Sequence, residues 1–174
     1  GLIVAKIQKM KLLPVLDLAM ICFLIGQAVG RWGNFMNQEA FGTPTNLPWA
    51  MLSEGTDGVA VHPCFLYESI WCILGFFVLL LITKKFRCFS GQTFLCYGIW
   101  YGLERTVVEG LRTDSLYIGN TDLRVSQVLS IAIVVVCVVI LVVKLLSLRK
   151  KPVLIEGIDY FPADEKQVKK EIGK

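Results

Sequence analysis

The sequence predicts an all-α integral membrane protein, a polytopic helical bundle with about four transmembrane helices. Of its 174 residues, 55% are apolar, compared with roughly 45–50% in soluble domains. The mean hydropathy is +0.61. The apolar residues are concentrated in stretches whose length is close to the roughly 20 residues that a helix needs to cross a bilayer. Loops rich in Lys and Arg also alternate along the chain with loops that carry few of these residues, as in multi-span proteins.

The predicted spans follow one another along the chain. They cover residues 12–29, 65–83, 93–111 and 125–143. The last is almost entirely Val, Ile and Leu, and a strand of that length in a soluble domain is improbable. A soluble helix bundle is the alternative for the other three, but the last span argues against it.

The distribution of basic residues predicts the orientation. One set of loops carries Lys6, Lys9, Lys11, Lys84, Lys85, Arg87, Lys144, Arg149, Lys150 and Lys151. The alternate loops, 31–62 and 112–124, carry only Arg31, Arg112 and Arg124. We therefore expect both ends of the chain to be cytoplasmic and the alternate loops to face outward. The net charge of +4 then belongs to membrane anchoring, and no nucleic-acid partner is implied.

The chain divides into a transmembrane domain, residues 1–148, and a charged cytoplasmic tail, residues 149–174. Four of its six cysteines lie in apolar spans, and none form a C-x-x-C pair. With one histidine in addition, the sequence favours neither a disulfide framework nor a metal site. We expect no metal and no organic cofactor.

Charged residues at the end of the third predicted span are candidates for function, because charges in spans are costly. Arg105 and Glu109 are four residues apart on a helix and share one face, on which Tyr101 and Arg112 also fall. Glu104 lies about 100° away, on another face. The alternative interpretation is a structural ion pair that holds helices together.

A second concentration of polar residues follows the first predicted span. Arg31 is suited to bind a phosphate bidentately, and Asn34 and Asn37 offer amide donors for glycerol hydroxyls. Glu39 adds a carboxylate, and Gly42 permits unusual backbone geometry. The alternative is an ordinary interfacial loop with a snorkelling arginine.

A third candidate is the segment from His62 to Glu68, which starts the second predicted span. Pro63 suits a first helical turn. A lone histidine at such a place is more often a capping residue than a catalyst. All three concentrations are nevertheless predicted at the outer ends of adjacent spans, which favours one shared site.

These motifs resemble those of prolipoprotein diacylglyceryl transferases. The matching segments are GQAVGRWGNFMNQEAFG at 26–42, HPCFLYE at 62–68, RTVVEGLRTDSL at 105–116 and LRVSQ at 123–127. They occur in the family's order and cover roughly residues 12 to 130. The first motif is long and specific.

The resemblance implies a multi-span enzyme of the bacterial inner membrane with its active site toward the outer leaflet. It implies transfer of the diacylglyceryl group of phosphatidylglycerol to the lipobox cysteine of a prelipoprotein signal peptide, with release of glycerol phosphate. The implied catalytic residues are Arg105, Glu109, His62 and Glu39. The implied substrate-binding residues are Arg31, Asn34, Asn37, Gly42, Arg112 and Tyr67.

The alternatives are a non-catalytic scaffold, an inactive truncated copy or, less consistent with charges near one face, a small transporter. The family's N-terminal spans and histidine-glycine motif are not in this sequence, and we expect sequence to precede Gly1. Glu104 and Thr106 also depart from the family's pattern. We expect both departures to affect packing only.

Overall fold

The computed structural model describes residues 10–113 and 124–150. These residues form the helices α1 (Leu12–Met36), α2 (Cys64–Lys85), α3 (Gln92–Leu111) and α4 (Val125–Lys150), with one 3₁₀ turn at Glu54–Thr56. Within the described ranges the only β pairings are isolated bridges. The predicted all-α fold is confirmed, and each predicted span is a helix.

Three of these helices are long and apolar enough to cross a membrane: Leu12–Met36, Cys64–Lys85 and Val125–Leu148. Helix α3 is 20 residues long but carries Glu104, Arg105 and Glu109 in its second half. That α3 also crosses the membrane stays a prediction.

Helix α1 extends beyond the predicted span and ends at Met36. Arg31 and Asn34 therefore lie on a helix instead of in a loop. The chain then turns sharply, and Gln38 and Ala40 adopt positive φ angles of 54° and 57°. Residues with side chains rarely adopt this conformation, so the turn after α1 is a strained part of the motif.

Hydrogen bonds fix the register of α1 against α2. The indole Nε1 of Trp32 donates to Ser69 Oγ over 3.2 Å, and that hydroxyl donates to the carbonyl of Ala28 over 3.0 Å. The residues that precede Trp32 and Ser69, namely Arg31 and Glu68, are thereby brought side by side at the interface.

A reciprocal tryptophan pair fixes α2 against α3. Trp71 Nε1 donates to the carbonyl of Trp100 and Trp100 Nε1 donates to the carbonyl of Trp71, both over 3.1 Å. The two rings stack with centroids 4.5 Å apart. Indole N–H groups between packed helices need acceptors, and the symmetric exchange pairs both of them.

Helix α4 packs against α3 alone among the described helices. Gly102 lies close to this partner, because a Cβ added there would be 2.5 Å from Val134 and 3.1 Å from the carbonyl of Ser130. Gln127 Nε2 donates to the carbonyl of Thr106 over 2.9 Å. Small residues and interhelical hydrogen bonds of this kind are typical of helix pairs in membranes.

A buried aspartate ties the other end of the bundle together. The carboxylate of Asp17 on α1 accepts from the N–H of Gly91 over 2.8 Å and from that of Phe94 over 2.9 Å. It also forms an ion pair of 3.4 Å with Arg87. Asp17 thus caps the first turn of α3 from another helix. Arg31 lies about 21 Å further along α1, at a rise of about 1.5 Å per residue.

Candidate functional site

Side chains from three helices form a charged cluster at the end of the bundle opposite Asp17. Arg31 Nε lies 3.1 Å from Glu68 Oε2. Arg105 Nη1 lies 3.6 Å from Glu68 Oε1, and Arg105 Nη2 lies 2.9 Å from Glu109 Oε2. Glu68 therefore stands between the two guanidiniums. We call Arg31, Glu68, Arg105 and Glu109 the bridged cluster.

The bridged cluster follows from the local sequence and from the helix register together. Arg105 and Glu109 are neighbours on α3 because of their i,i+4 spacing, as the sequence predicted. Arg31 and Glu68 meet because the contacts of Trp32 and Ser69 set α1 against α2. The tryptophan pair then places the start of α2 beside the end of α3.

The arginine side chains of the bridged cluster are partly exposed to solvent, whereas its carboxylates are buried. The side chains of Arg31 and Arg105 are 19% and 21% exposed, whereas that of Glu68 is 1% exposed. One buried carboxylate thus lies against two partly exposed guanidiniums. Such a pair is suited to bind an oxyanion, above all a phosphate.

Glu68 lies in the 62–68 segment that the sequence indicated as a candidate, but it was not among the predicted catalytic or substrate-binding residues. Its sequence signals were its position as the only charge in the second predicted span and its place in the 62–68 motif. Which partners it would have could not be inferred, because both arginines lie on other helices. The structure makes it the central residue of the bridged cluster.

Arg112 follows the last residue of α3 and lies within electrostatic reach of Glu68. It forms an antiparallel bridge with Gly42. The N–H of Thr43 donates to the carbonyl of Leu111 over 2.8 Å. The segment after α1 is thereby attached to the end of α3, so that the loop covers the same end of the bundle as the bridged cluster.

Gly42 lies in a tight place within this loop. Its N–H donates to the carbonyl of His62 over 2.9 Å. An added Cβ would be 2.7 Å from His62 Cβ, 3.0 Å from Cys64 Sγ and 3.2 Å from the carbonyl of Leu111. Only a residue without a side chain fits here unless the loop moves.

His62 and Tyr67 form a separate polar group. His62 Nδ1 lies 3.3 Å from the hydroxyl of Tyr67, and this hydroxyl accepts from Trp49 Nε1 over 2.9 Å. Tyr67 immediately precedes Glu68, so the group borders the bridged cluster along α2. In the described residues no ion pair or hydrogen bond links His62 to an arginine of that cluster.

Asn37 and Glu39 pair with one another at the surface. Asn37 Nδ2 donates to Glu39 Oε1 over 3.1 Å, and both side chains are exposed. The Asn34 side chain is half-buried on α1, three residues after Arg31. The structure thus brings Arg31, Arg105, Glu109 and Arg112 together and leaves Asn37 and Glu39 on the rim of the loop.

Residues 1–143 match the family described as prolipoprotein diacylglyceryl transferase. The chain belongs to this family. The match covers well over half of the sequence and confirms the resemblance of the four motifs.

Several relatives are named phosphatidylglycerol–prolipoprotein diacylglyceryl transferase. The chain is 52% identical to that of Finegoldia magna over 138 residues, which are 79% of this chain and 54% of the relative. It is 46% identical to that of Clostridioides difficile over 131 residues, 75% of this chain and 50% of the relative. It is 42% identical to that of Bacillus cytotoxicus over 153 residues, 83% and 56% respectively. The chain spans about half the length of these curated relatives. Together with the apolar helices, the family indicates a multi-pass membrane protein.

Proposed function

We propose that this chain transfers the diacylglyceryl group of phosphatidylglycerol to the lipobox cysteine thiol of prelipoproteins, the first step of bacterial lipoprotein maturation. The observation that carries the proposal is the bridging of Arg31 and Arg105 by the buried carboxylate of Glu68. The substrates are those in the names of its relatives.

The reaction is a displacement at carbon. The cysteine sulfur forms a bond to the glyceryl carbon that carries the phosphate ester. The bond from that carbon to the ester oxygen breaks, and its electron pair leaves with glycerol phosphate. The thiol proton passes to a base. Such a site must hold the phosphodiester and stabilise the charge that develops on the departing phosphate.

The two guanidiniums supply these interactions. Arg31 clamps the headgroup phosphate, and Arg105 stabilises either the departing phosphate or the attacking thiolate. Glu109 orients Arg105 through their 2.9 Å ion pair. The buried carboxylate of Glu68 contacts both arginines and so fixes the spacing between them. In a partly desolvated site these interactions are stronger than in water.

The remaining residues of the site have supporting roles in this proposal. Asn34, Asn37 and Tyr67 contact the lipid glycerol, Arg112 adds positive charge near Glu68, and Gly42 shapes the loop. His62 and Glu39 are the candidates for the base that takes the thiol proton. The hydrogen bond between His62 Nδ1 and the Tyr67 hydroxyl would orient the imidazole for this role.

The proposed setting is the bacterial inner membrane. The transferase domain covers residues 1–148, the tail of residues 149–174 is cytoplasmic, and the bridged cluster faces the outer leaflet. The loop distribution of Lys and Arg supports this orientation. The tail lies outside the described residues apart from the last residues of α4.

Release of glycerol phosphate tests the function. The purified chain is placed in phosphatidylglycerol vesicles with a lipobox peptide, and Arg31→Ala is run in parallel. Release that requires the peptide's cysteine and is lost in Arg31→Ala is the expected result. A folded, inserted chain that releases nothing would mean a non-catalytic scaffold or an inactive partial copy.

A further inference from the structure

The Glu104 side chain is a buried carboxylate that forms no ion pair of 4.0 Å or less with any described residue. The residue is 5% exposed. Its Oε1 is inaccessible and accepts no hydrogen bond from any described residue. Both oxygens of Glu68 also lack a hydrogen bond, but the Glu68 and Glu109 carboxylates form ion pairs with arginine. A buried carboxylate oxygen without a donor is costly, so each such group calls for an explanation.

The surroundings of Glu104 indicate where a donor would come from. Its carboxylate is within electrostatic reach of the guanidiniums of Arg31 and Arg105, and of the carboxylate of Glu68. The sequence had assigned Glu104 to another face of α3 and to packing. It is instead a buried residue on α3, directly before Arg105 in the chain, and its carboxylate feels the charges of both arginines.

The chemistry next to a phosphate site restricts the donor. A phosphodiester has no hydrogen to donate, and its negative charge would be repelled by the Glu104 carboxylate. A hydroxyl group attached close to the phosphate does have a donor, and a hydrogen bond to a carboxylate is stronger than one to a neutral acceptor. The unsatisfied oxygen beside the arginines therefore fits a polyol phosphate.

We propose that Glu104 selects the lipid headgroup by accepting hydrogen bonds from the hydroxyls of the terminal glycerol of phosphatidylglycerol. Arg31 and Arg105 hold the adjacent phosphate, and Glu104 discriminates against headgroups without hydroxyls. The inference rests on the proposed function and makes Glu104 a specificity-determining residue, with no part in taking the thiol proton.

A pair of lipids with the same charge tests this role. Phosphatidylpropanol has the phosphodiester of phosphatidylglycerol but lacks both headgroup hydroxyls. Peptide lipidation is followed by mass spectrometry, and kcat/KM is measured for each lipid with the chain and with Glu104→Ala and Glu104→Gln. We expect the unaltered chain to prefer phosphatidylglycerol by about 10- to 100-fold, the range for hydrogen bonds to a charged group.

In Glu104→Ala this preference should largely disappear, through a fall in kcat/KM for phosphatidylglycerol, with that for phosphatidylpropanol unchanged or higher. Glu104→Gln keeps an acceptor oxygen of similar position, so its preference should be intermediate. Glu54 is an exposed carboxylate in the loop, and Glu54→Gln serves as the matched control with an unchanged preference.

Two results would overturn the inference: an equal fall for both lipids, which indicates a packing role, or an unchanged preference in Glu104→Ala. If the unaltered chain lipidates no peptide, the proposed function fails, and the same lipids are compared by competitive binding in nanodiscs. A binding preference for phosphatidylglycerol that Glu104→Ala abolishes then supports the inference, and equal binding of the two lipids contradicts it.

Discussion

The Nε of Arg31 lies 3.1 Å from Oε2 of Glu68, and this contact joins a partly exposed guanidinium to a side chain that is 1% exposed. The pair spans the interface of α1 and α2. Because the carboxylate is buried, it fixes the direction of Arg31 while the outer side of the guanidinium stays accessible. The same carboxylate reaches Arg105 over 3.6 Å, so one buried group sets the positions of both.

Replacing Glu68 with Gln should affect stability and activity together. The change leaves two guanidiniums without their shared charge partner, and breaking a buried ion pair costs about 3 kcal/mol. The arginines also lose their fixed spacing, and a small misplacement lowers turnover by about 100-fold. Unfolding in mixed detergent micelles and peptide lipidation measure the two effects. Unchanged values in both assays would contradict the bridging role.

Replacing Arg105 with Lys should remove most activity although the charge is kept. A lysine ammonium is a compact point charge and cannot reproduce the planar fork with which Arg105 contacts Glu68 and Glu109 through separate nitrogens. We expect kcat/KM to fall by about 100-fold or more. Lys84→Arg, at an exposed position near the end of α2, is the control. Turnover close to that of the unaltered chain would refute the role of Arg105.

Replacing Asp17 with Asn should lower stability with little effect on the chemistry. The substitution removes the charge that pairs with Arg87 and weakens the cap on the Gly91 and Phe94 N–H groups. We expect the free energy of unfolding to fall by about 3 kcal/mol. Activity per folded molecule should stay within about twofold, because the site lies about 21 Å away along α1.

To separate an effect on stability from an effect on chemistry, kcat/KM of Asp17→Asn is compared with that of the unaltered chain at low temperature, where the variant remains folded. A large loss of kcat/KM under those conditions, at full folding by circular dichroism, would show that Asp17 acts on the site.

Replacing Gly42 with Ala should disturb the loop that covers the site. The new Cβ would lie 2.7 Å from His62 Cβ and 3.2 Å from the Leu111 carbonyl, so backbone must shift. Overpacking of this kind costs about 1–3 kcal/mol, and we expect activity to fall about tenfold or more as the loop moves. Gly26→Ala is the matched control, since nothing lies within 4 Å of its added Cβ. Equal behaviour of the two variants would argue against a positional role for Gly42.

The sequence could predict features that depend on one segment of the chain, but not contacts between segments. The apolar stretches predicted the helices, and i,i+4 spacing predicted the Arg105–Glu109 pair, because both depend on a period within one segment. The contact of Arg31 with Glu68 depends on the register between helices. That register is set by the hydrogen bonds of Ser69 with Trp32 and Ala28, and no sequence period encodes such contacts.

Glu104 illustrates the same limit. Its position one residue before Arg105 predicted a different face of α3, and this is correct for an isolated helix. Three packed helices enclose more than one face, so a residue on a neighbouring face can still be buried beside the same arginines. The end of α1 at Met36 was also missed, because polar residues in the last turns masked a continuing helix.

The most direct test of the central claim counts both products in one reaction. The chain in phosphatidylglycerol vesicles receives a lipobox peptide, and the thioether-linked peptide and the released glycerol phosphate are quantified together. The account predicts equal amounts of the two products, none with a Cys→Ser peptide, and a loss of both in Arg31→Ala and Arg105→Lys. Turnover that survives in both arginine variants, or a folded and lipid-bound chain that forms neither product, would contradict it.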